Sequence, residues 1–327
     1  MKKNLIIILL LCLCMCTMFG CSKATGNSSS KGDGDGKLSV VCTTFPQYDW
    51  VKEILGNQMD NVELTLLLDD GVDLHSYQPS AEDIAKIATC DVFIYVGGES
   101  DEWVEDALAE ATNKDMKVIN LMEVIGDSVK EEEIVEGMEA EEESEEEEIE
   151  YDEHVWLSLK NAELICSEIG TSLSTLDADN SEIYKNNLET YTEKLSALDL
   201  DYQETVDSAV HSTIVFGDRF PFRYMIDDYG LDYYAAFVGC SAETEASFKT
   251  ILFLAEKMNE FDLPAICVIE SADQSIAQTI VNNTESKNQK ILVMDSMQSV
   301  TSEDVVSGAE YLSIMESNLE TLKEALN

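Results

Sequence analysis

Of the three histidines in this chain, two stand where an imidazole could take hold of a metal. His75 lies in Asp73-Leu74-His75-Ser76-Tyr77-Gln78-Pro79-Ser80, after a strand-like run and before a helix-like one, the place where open parallel sheets put their ligand loops. His154 lies in Tyr151-Asp152-Glu153-His154-Val155-Trp156-Leu157, at the border of an acid-rich stretch and a helix. Carboxylates beside an imidazole orient it and favour a bound cation. Taken singly, His75 is also readable as a surface residue and His154 as a helix-start residue. As a pair from distant segments they point to one assembled metal site. His211 precedes its strand rather than following it, which places it at the wrong end of the sheet.

The elements that must position this pair are legible as apolar runs alternating with helical spacing. Residues 37–44, 62–68, 91–96 and 117–121 read as strands, and 48–55, 81–88 and 102–111 as helices between them; alternation of this kind implies a parallel sheet. Over residues 131–153 acids fill more than half the positions and no basic residue appears, so repulsion predicts an extended, solvated loop that serves as spacer or as metal antenna. Helical spacing resumes at 157–176 and continues over 181–210, where Tyr184, Leu188, Tyr191, Leu195 and Leu198 recur at three and four residues. At ~1.5 Å per residue, that second helix is long enough to be a rigid strut across a domain boundary. A second series follows, with strands at 213–216, 233–238, 265–269 and 291–294 and helices at 247–261, 275–283 and 308–326. The expected fold class is α/β: two doubly wound α/β domains joined by a long rigid α-helix, with a metal cleft between them. The expected boundaries are 37–178 for the N-terminal domain, 179–210 for the connecting helix and 211–327 for the C-terminal domain.

Lys2 and Lys3 precede an aliphatic run that Met18-Phe19-Gly20-Cys21 closes, the pattern of a cleaved signal peptide over residues 1–20. The run is too short to span a ~30 Å hydrocarbon core comfortably, and Gly20-Cys21 resembles a lipobox in which Cys21 carries diacylglycerol. Residues 21–36, rich in Ser, Gly, Lys and Asp, make a flexible tether. The chain is therefore expected outside the cytoplasm, lipid-anchored to the cell membrane and monomeric. Twenty basic against 66 acidic residues, a net charge of −46, argue against nucleic acid or an anionic lipid surface as partner and suit a cationic ligand. Cys42, Cys90, Cys166, Cys240 and Cys267 contain no Cys-x-x-Cys pattern. They are expected as buried free thiols with at most one or two disulfides, and no thiolate zinc site is read from them.

The two histidine segments, Leu74 to Ser80 and Asp152 to Leu157, resemble the two N-terminal ligand motifs of ABC-transporter solute-binding lipoproteins for zinc and manganese, the TroA-like, zinc-uptake type. The similarity extends to a charged loop directly before the second ligand, here filled by glutamates, and to a closing helix from Tyr311-Leu312 to Leu326. The resemblance implies two more ligands from the second domain: a His or Glu after its first strand and an Asp after a late one. Asp295, in Ile291-Leu292-Val293-Met294-Asp295-Ser296-Met297, fits the late position, although a strand-end Asp is also a common helix cap. At the other position Val215-Phe216-Gly217-Asp218-Arg219-Phe220 has Gly217 where the family's motif would start, leaving Asp218 as a substitute ligand. Arg219 could instead pair with Asp218, which would leave three protein ligands or recruit Glu270; Glu243 is a further alternative. Two imidazoles with two carboxylates suit Zn(II), and Mn(II) less well. The implied partner is an ABC permease with its cytoplasmic ATPase, and the implied role is capture of the metal for uptake. The alternatives are a zinc-dependent hydrolytic enzyme, against which stands the lack of a His-Glu-x-x-His or Gly-x-Ser-x-Gly pattern, and a surface adhesin, which the acidic tract and anchor would also serve.

Overall fold

The computed structural model describes residues 37–139, 150–241 and 245–327. The signal segment, the tether with Cys21, the middle of the acidic tract and Glu243 lie outside the described residues.

The first half builds β1 (Leu38–Cys42), α1 (Phe45–Leu55), β2 (Val62–Leu66), α2 (Ala81–Thr89), β3 (Val92–Tyr95), α3 (Trp103–Ala109), β4 (Lys117–Asn120) and the short α4 (Leu121–Ile125). Its strands pair in parallel in the order β2-β1-β3-β4. The chain steps outward from β1 to β2 and then crosses to β3, so a crevice opens beyond the carboxyl ends of β1 and β3. Local chemistry fixes the helix starts. Gln47 reaches back to the amides of Thr43 and Thr44, and Ser80 and Asp83 close a reciprocal capping box on α2, satisfying donors that a first helical turn leaves open.

Two long helices follow, α5 (Leu159–Leu176) and α6 (Ser181–Asp207). The second half then repeats the plan with β5 (Thr213–Phe220), α7 (Arg223–Tyr229), β6 (Asp232–Val238), α8 (Phe248–Glu260), β7 (Ala265–Ile269), α9 (Ser275–Asn283), β8 (Lys290–Met294), α10 (Ser302–Val306) and α11 (Tyr311–Ala325). The second sheet is parallel in the order β6-β5-β7-β8. All eight expected strands are present. The short helices α4, α7 and α10 fall below the length at which periodicity announces a helix.

Helix α6, 27 residues long, is more than a strut. Its buried face, Tyr184, Tyr191, Leu195, Leu198 and Tyr202, seats it against both halves. Asn187 donates to the Ile54 carbonyl of α1, and the Tyr202 hydroxyl donates to the Met315 carbonyl of α11 at 2.7 Å. Tyr311, fully buried, packs edge-on against Trp50 of α1, and its amide donates to Asp49. The closing helix thus crosses back to the first half, and residues 37–327 form one compact unit.

The acidic tract departs from expectation where it is described. Residues 131–139 run against the second sheet instead of standing free, although Glu131, Glu133, Ile134 and Glu136 stay exposed: Glu139 donates its amide to the Ala236 carbonyl of β6 and accepts the Ser247 amide, and Glu133 pairs with Arg223. Glu132, Glu133 and Glu139 have each found a cation or a backbone N–H, which offsets like-charge repulsion locally. Residues 140–149 of the tract lie outside the described residues.

Candidate metal centre

His75 and His154 meet in the crevice. His75 sits in the single turn Leu74–Ser76, whose start is capped by Asp73 accepting the His75 amide. His154 follows at the foot of the acidic tract and is fully buried. Their Nε2 atoms stand 3.2 Å apart. On the far side of each ring Nδ1 is already engaged: His75 Nδ1 lies 2.8 Å from Ser100 Oγ and 3.4 Å from a Glu153 oxygen, and His154 Nδ1 lies 3.1 Å from Asp152 Oδ1. Holding Nδ1 fixes the tautomer and turns Nε2 outward as a lone-pair donor. Two nitrogens bound to one tetrahedral zinc at ~2.0–2.1 Å are about 3.3 Å apart, so the pair stands at the spacing of a zinc edge.

The supports of this pair are themselves braced. Glu153 Oε1 accepts the Ser100 amide at 2.8 Å. Its carboxyl is held below the usual range, because the bonds from His75 and Ser100 outweigh the burial that would raise it. Gly98, at φ +83°, makes that approach possible, since a Cβ there would lie 2.4 Å from Glu153 Oε1. Burial pushes the Asp101 carboxyl up to about 7, although it accepts the amides of Val96 and Gly97. Burial lowers the tendency of His154 to take a proton, but the charge and bond of Asp152 more than offset it, and the net shift is upward.

The acids of the second half are placed differently. A register shift in β5 between Phe216 and Arg219 turns Asp218 toward the sheet, where its two oxygens accept the amides of Arg219 and Ile269. Glu270, just past β7, is more heavily engaged: its oxygens accept from the Ser296 amide and hydroxyl, the Gln298 amide and the Ser299 hydroxyl. Asp295, just past β8, accepts the Met297 amide at 2.7 Å. Burial and then the Glu270 charge push its carboxyl up to about 6. Arg219 pairs not with Asp218 but with Asp73, at 2.7 Å, so it ties β5 to the turn that carries His75. Trp156, two residues past His154, donates to the Ser296 carbonyl at 2.9 Å and links the two halves again.

A family model for ZnuA, the periplasmic zinc-uptake complex component A, matches residues 40–325. The chain belongs to that family. Among the relatives of this ZnuA-family chain, the zinc-binding lipoprotein AdcA of Streptococcus pneumoniae serotype 4 is 33% identical over 295 residues, covering 89% of this chain and 56% of AdcA; the chain thus spans about half the length of that protein. The high-affinity zinc uptake system protein ZnuA of Bacillus subtilis is 28% identical over 311 residues, 93% of each chain. The crystal structure of the Zn(II)-bound ZnuA-like domain of S. pneumoniae AdcA superposes with a TM-score of 0.69 at 32% identity, covering 89% of this chain and 99% of that one.

Within this ZnuA-family fold the residue that sequence reasoning passed over is Cys240. Among the described residues, His75, His154 and Cys240 are the one group of three or more potential ligands whose donor atoms all lie within 4.8 Å of one another. Asp218, Asp295 and Glu270 do not join it. Cys240 follows β6, and Gly239 before it lies against His154, so that a Cβ there would stand 3.0 Å from the ring. Burial, then the charges of Asp152, Glu132 and Glu153, push the Cys240 thiol far above its ordinary value, leaving it protonated in the metal-free protein. The five described cysteines are all free, and Cys240 alone among them is not fully buried.

Proposed function

We propose that this chain is an extracytoplasmic receptor that captures Zn(II), and Mn(II) less readily, and delivers it to an ABC permease powered by a cytoplasmic ATPase. His75 and His154 are the first ligands. The observation that carries this reading is the pair of Nε2 atoms at 3.2 Å with both Nδ1 atoms engaged behind them. Family membership supports uptake as the purpose, and binding of zinc by the named relatives supports the choice of metal.

The same reading includes lipidation at Cys21, a tether over 21–36, domain boundaries at 37–178, 179–210 and 211–327, and action as a monomer. Asp218 and Asp295 enter it as cleft acids engaged by backbone amides. Glu243 is not assigned. Calorimetric titration of the chelator-stripped protein with Zn(II) and Mn(II), repeated on His75→Ala/His154→Ala, tests it. One tight zinc site that disappears in the variant is the expected result. Weak, multiple binding that survives the substitutions would move the binding to the acidic tract and end the receptor reading.

A further inference from the structure

We propose that Cys240 is the third protein ligand, so that the metal is held by two imidazoles and one thiolate. The inference rests on the receptor reading and names the ligand that the missing family histidine leaves open. In a tetrahedral site with Zn–S about 2.3 Å and Zn–N ~2.0–2.1 Å, sulfur and nitrogen stand about 3.5 Å apart. The Cys240 sulfur is already within 4.8 Å of a donor nitrogen on each histidine, so a shift of about 1 Å completes the triangle.

The loop is built for that approach. Gly239 leaves no Cβ, and one added there would lie 2.9 Å from the Phe220 carbonyl as well as 3.0 Å from His154; only a glycine lets this turn rest on the ring. The Cys240 amide donates to Glu132 at 3.2 Å, and its sulfur accepts the amide of Glu153, the residue before His154. The backbone is thus fixed from the packed acidic strap on one side and the sulfur from the histidine segment on the other. Two of the competing donors are committed: the Asp218 and Glu270 oxygens hold the β5–β7 and β8 turns, and Asp295 stands outside the His75, His154 and Cys240 group. Cys42, Cys90, Cys166 and Cys267 are buried.

On loading, the Cys240 S–H bond breaks, its proton passes to water, and the sulfur lone pair forms the bond to the metal; no electrons are transferred. Three protein ligands leave one tetrahedral position for water or for an incoming ligand. A carrier that must surrender its ion needs such a position, because transfer then proceeds by exchange at one site at a time. A thiolate also grades the cargo, since soft sulfur favours Zn(II) over the oxygen-seeking Mn(II).

The test uses Co(II) as a coloured replacement for zinc in the purified, reduced protein. The expected result is one tight cobalt site with tetrahedral visible bands and a near-ultraviolet sulfur-to-cobalt charge-transfer band. In Cys240→Ser that band is lost and zinc affinity falls by more than tenfold, while Cys267→Ser keeps both. X-ray absorption of the zinc-loaded unmutated protein guards against a variant that fails to fold, and should find one sulfur at about 2.3 Å beside nitrogen or oxygen neighbours. A tight site that His75→Ala abolishes but that shows no sulfur would overturn the Cys240 ligand and leave the receptor reading standing. A charge-transfer band that persists in Cys240→Ser would overturn it too. Absence of any tight site in the unmutated protein would overturn both together.

Discussion

Both halves of the crevice carry metal-seeking side chains, and the imidazoles of the first are prepared in the opposite way to the carboxylates of the second. In the first half each donor is held from behind and its coordinating atom is left pointing at the other: Asp152 behind His154, Ser100 and Glu153 behind His75. In the second half the carboxylates of Asp218, Glu270 and Asp295 turn their oxygens to backbone amides and hydroxyls at the ends of β5, β7 and β8. The difference teaches that residue type and strand-end position alone do not prepare a ligand. What matters is which atom remains unspent once local hydrogen bonding is satisfied, and an imidazole has the advantage of two nitrogens on opposite sides, one to anchor and one to bind.

The largest effect should come from cutting an anchor while keeping the ligand. Asp152→Asn retains an oxygen for the His154 amide but removes the charge that steadies the imidazole and favours a cation beside it. Zinc affinity should fall by about 10- to 100-fold, the usual cost of losing a partner that orients a metal-bound histidine. Calorimetry on this variant and on Glu153→Gln measures it. Unchanged affinity in both would show that the anchors do not prepare the first half, and the contrast would collapse.

A smaller effect should follow from separating the halves. Arg219 and Asp73 join β5 to the His75 turn through a half-buried ion pair. Arg219→Ala should cost on the order of 1 kcal/mol of stability, between the exposed and the buried cases. Zinc affinity should fall by less than about tenfold, since tenfold corresponds to ~1.4 kcal/mol. Chemical denaturation and zinc titration of Arg219→Ala, Asp73→Ala and the double variant isolate the coupling. Additive losses would mean that the pair contributes nothing as a pair.

How much of this was readable beforehand follows from the range of each interaction. Strands such as Ala265–Ile269 and the helix Ser275–Asn283 announce themselves because burial imposes a period on neighbouring residues. The histidine pair was legible because each segment carries its own anchors, Asp73 and Asp152, two residues away. The rest is long-range. Arg219 sits beside Asp218 in the chain, yet pairs with Asp73 across 146 positions, because a register shift in β5 re-aims the side chains there. The acidic strap's docking depends on Arg223, on the Ala236 carbonyl of β6 and on amides of the loop that follows, which no local pattern connects to it. Cys240 looked like the other thiols because a cysteine in an apolar chain is most often buried; only the end of β6 and the space left by Gly239 bring it to the rings. A glycine immediately before a cysteine at a strand end is the signal that was available.

The smallest effect on metal binding, and the sharpest check on the contrast, is expected at Asp295. Its carboxyl is raised from 3.8 to about 6, first by burial and then by Glu270. An acid whose folded value lies above its unfolded one destabilises the fold whenever it is ionised, fully above pH ~6 and progressively less as pH falls toward ~4. Asp295→Asn keeps an oxygen for the Met297 amide and removes that penalty. Stability should therefore rise by on the order of 2 kcal/mol at neutral pH, and the gain should fade between pH ~6 and ~4. Zinc affinity should stay within about twofold, since one oxygen of the side chain is held by the Met297 amide and the residue stands outside the His75, His154 and Cys240 group. Denaturation midpoints at several pH values, with a zinc titration at neutral pH, separate the two readouts. A variant that is no more stable but loses most of its zinc affinity would mean that Asp295 leaves its amide to bind metal, and that the second half is prepared by the ion rather than by the fold.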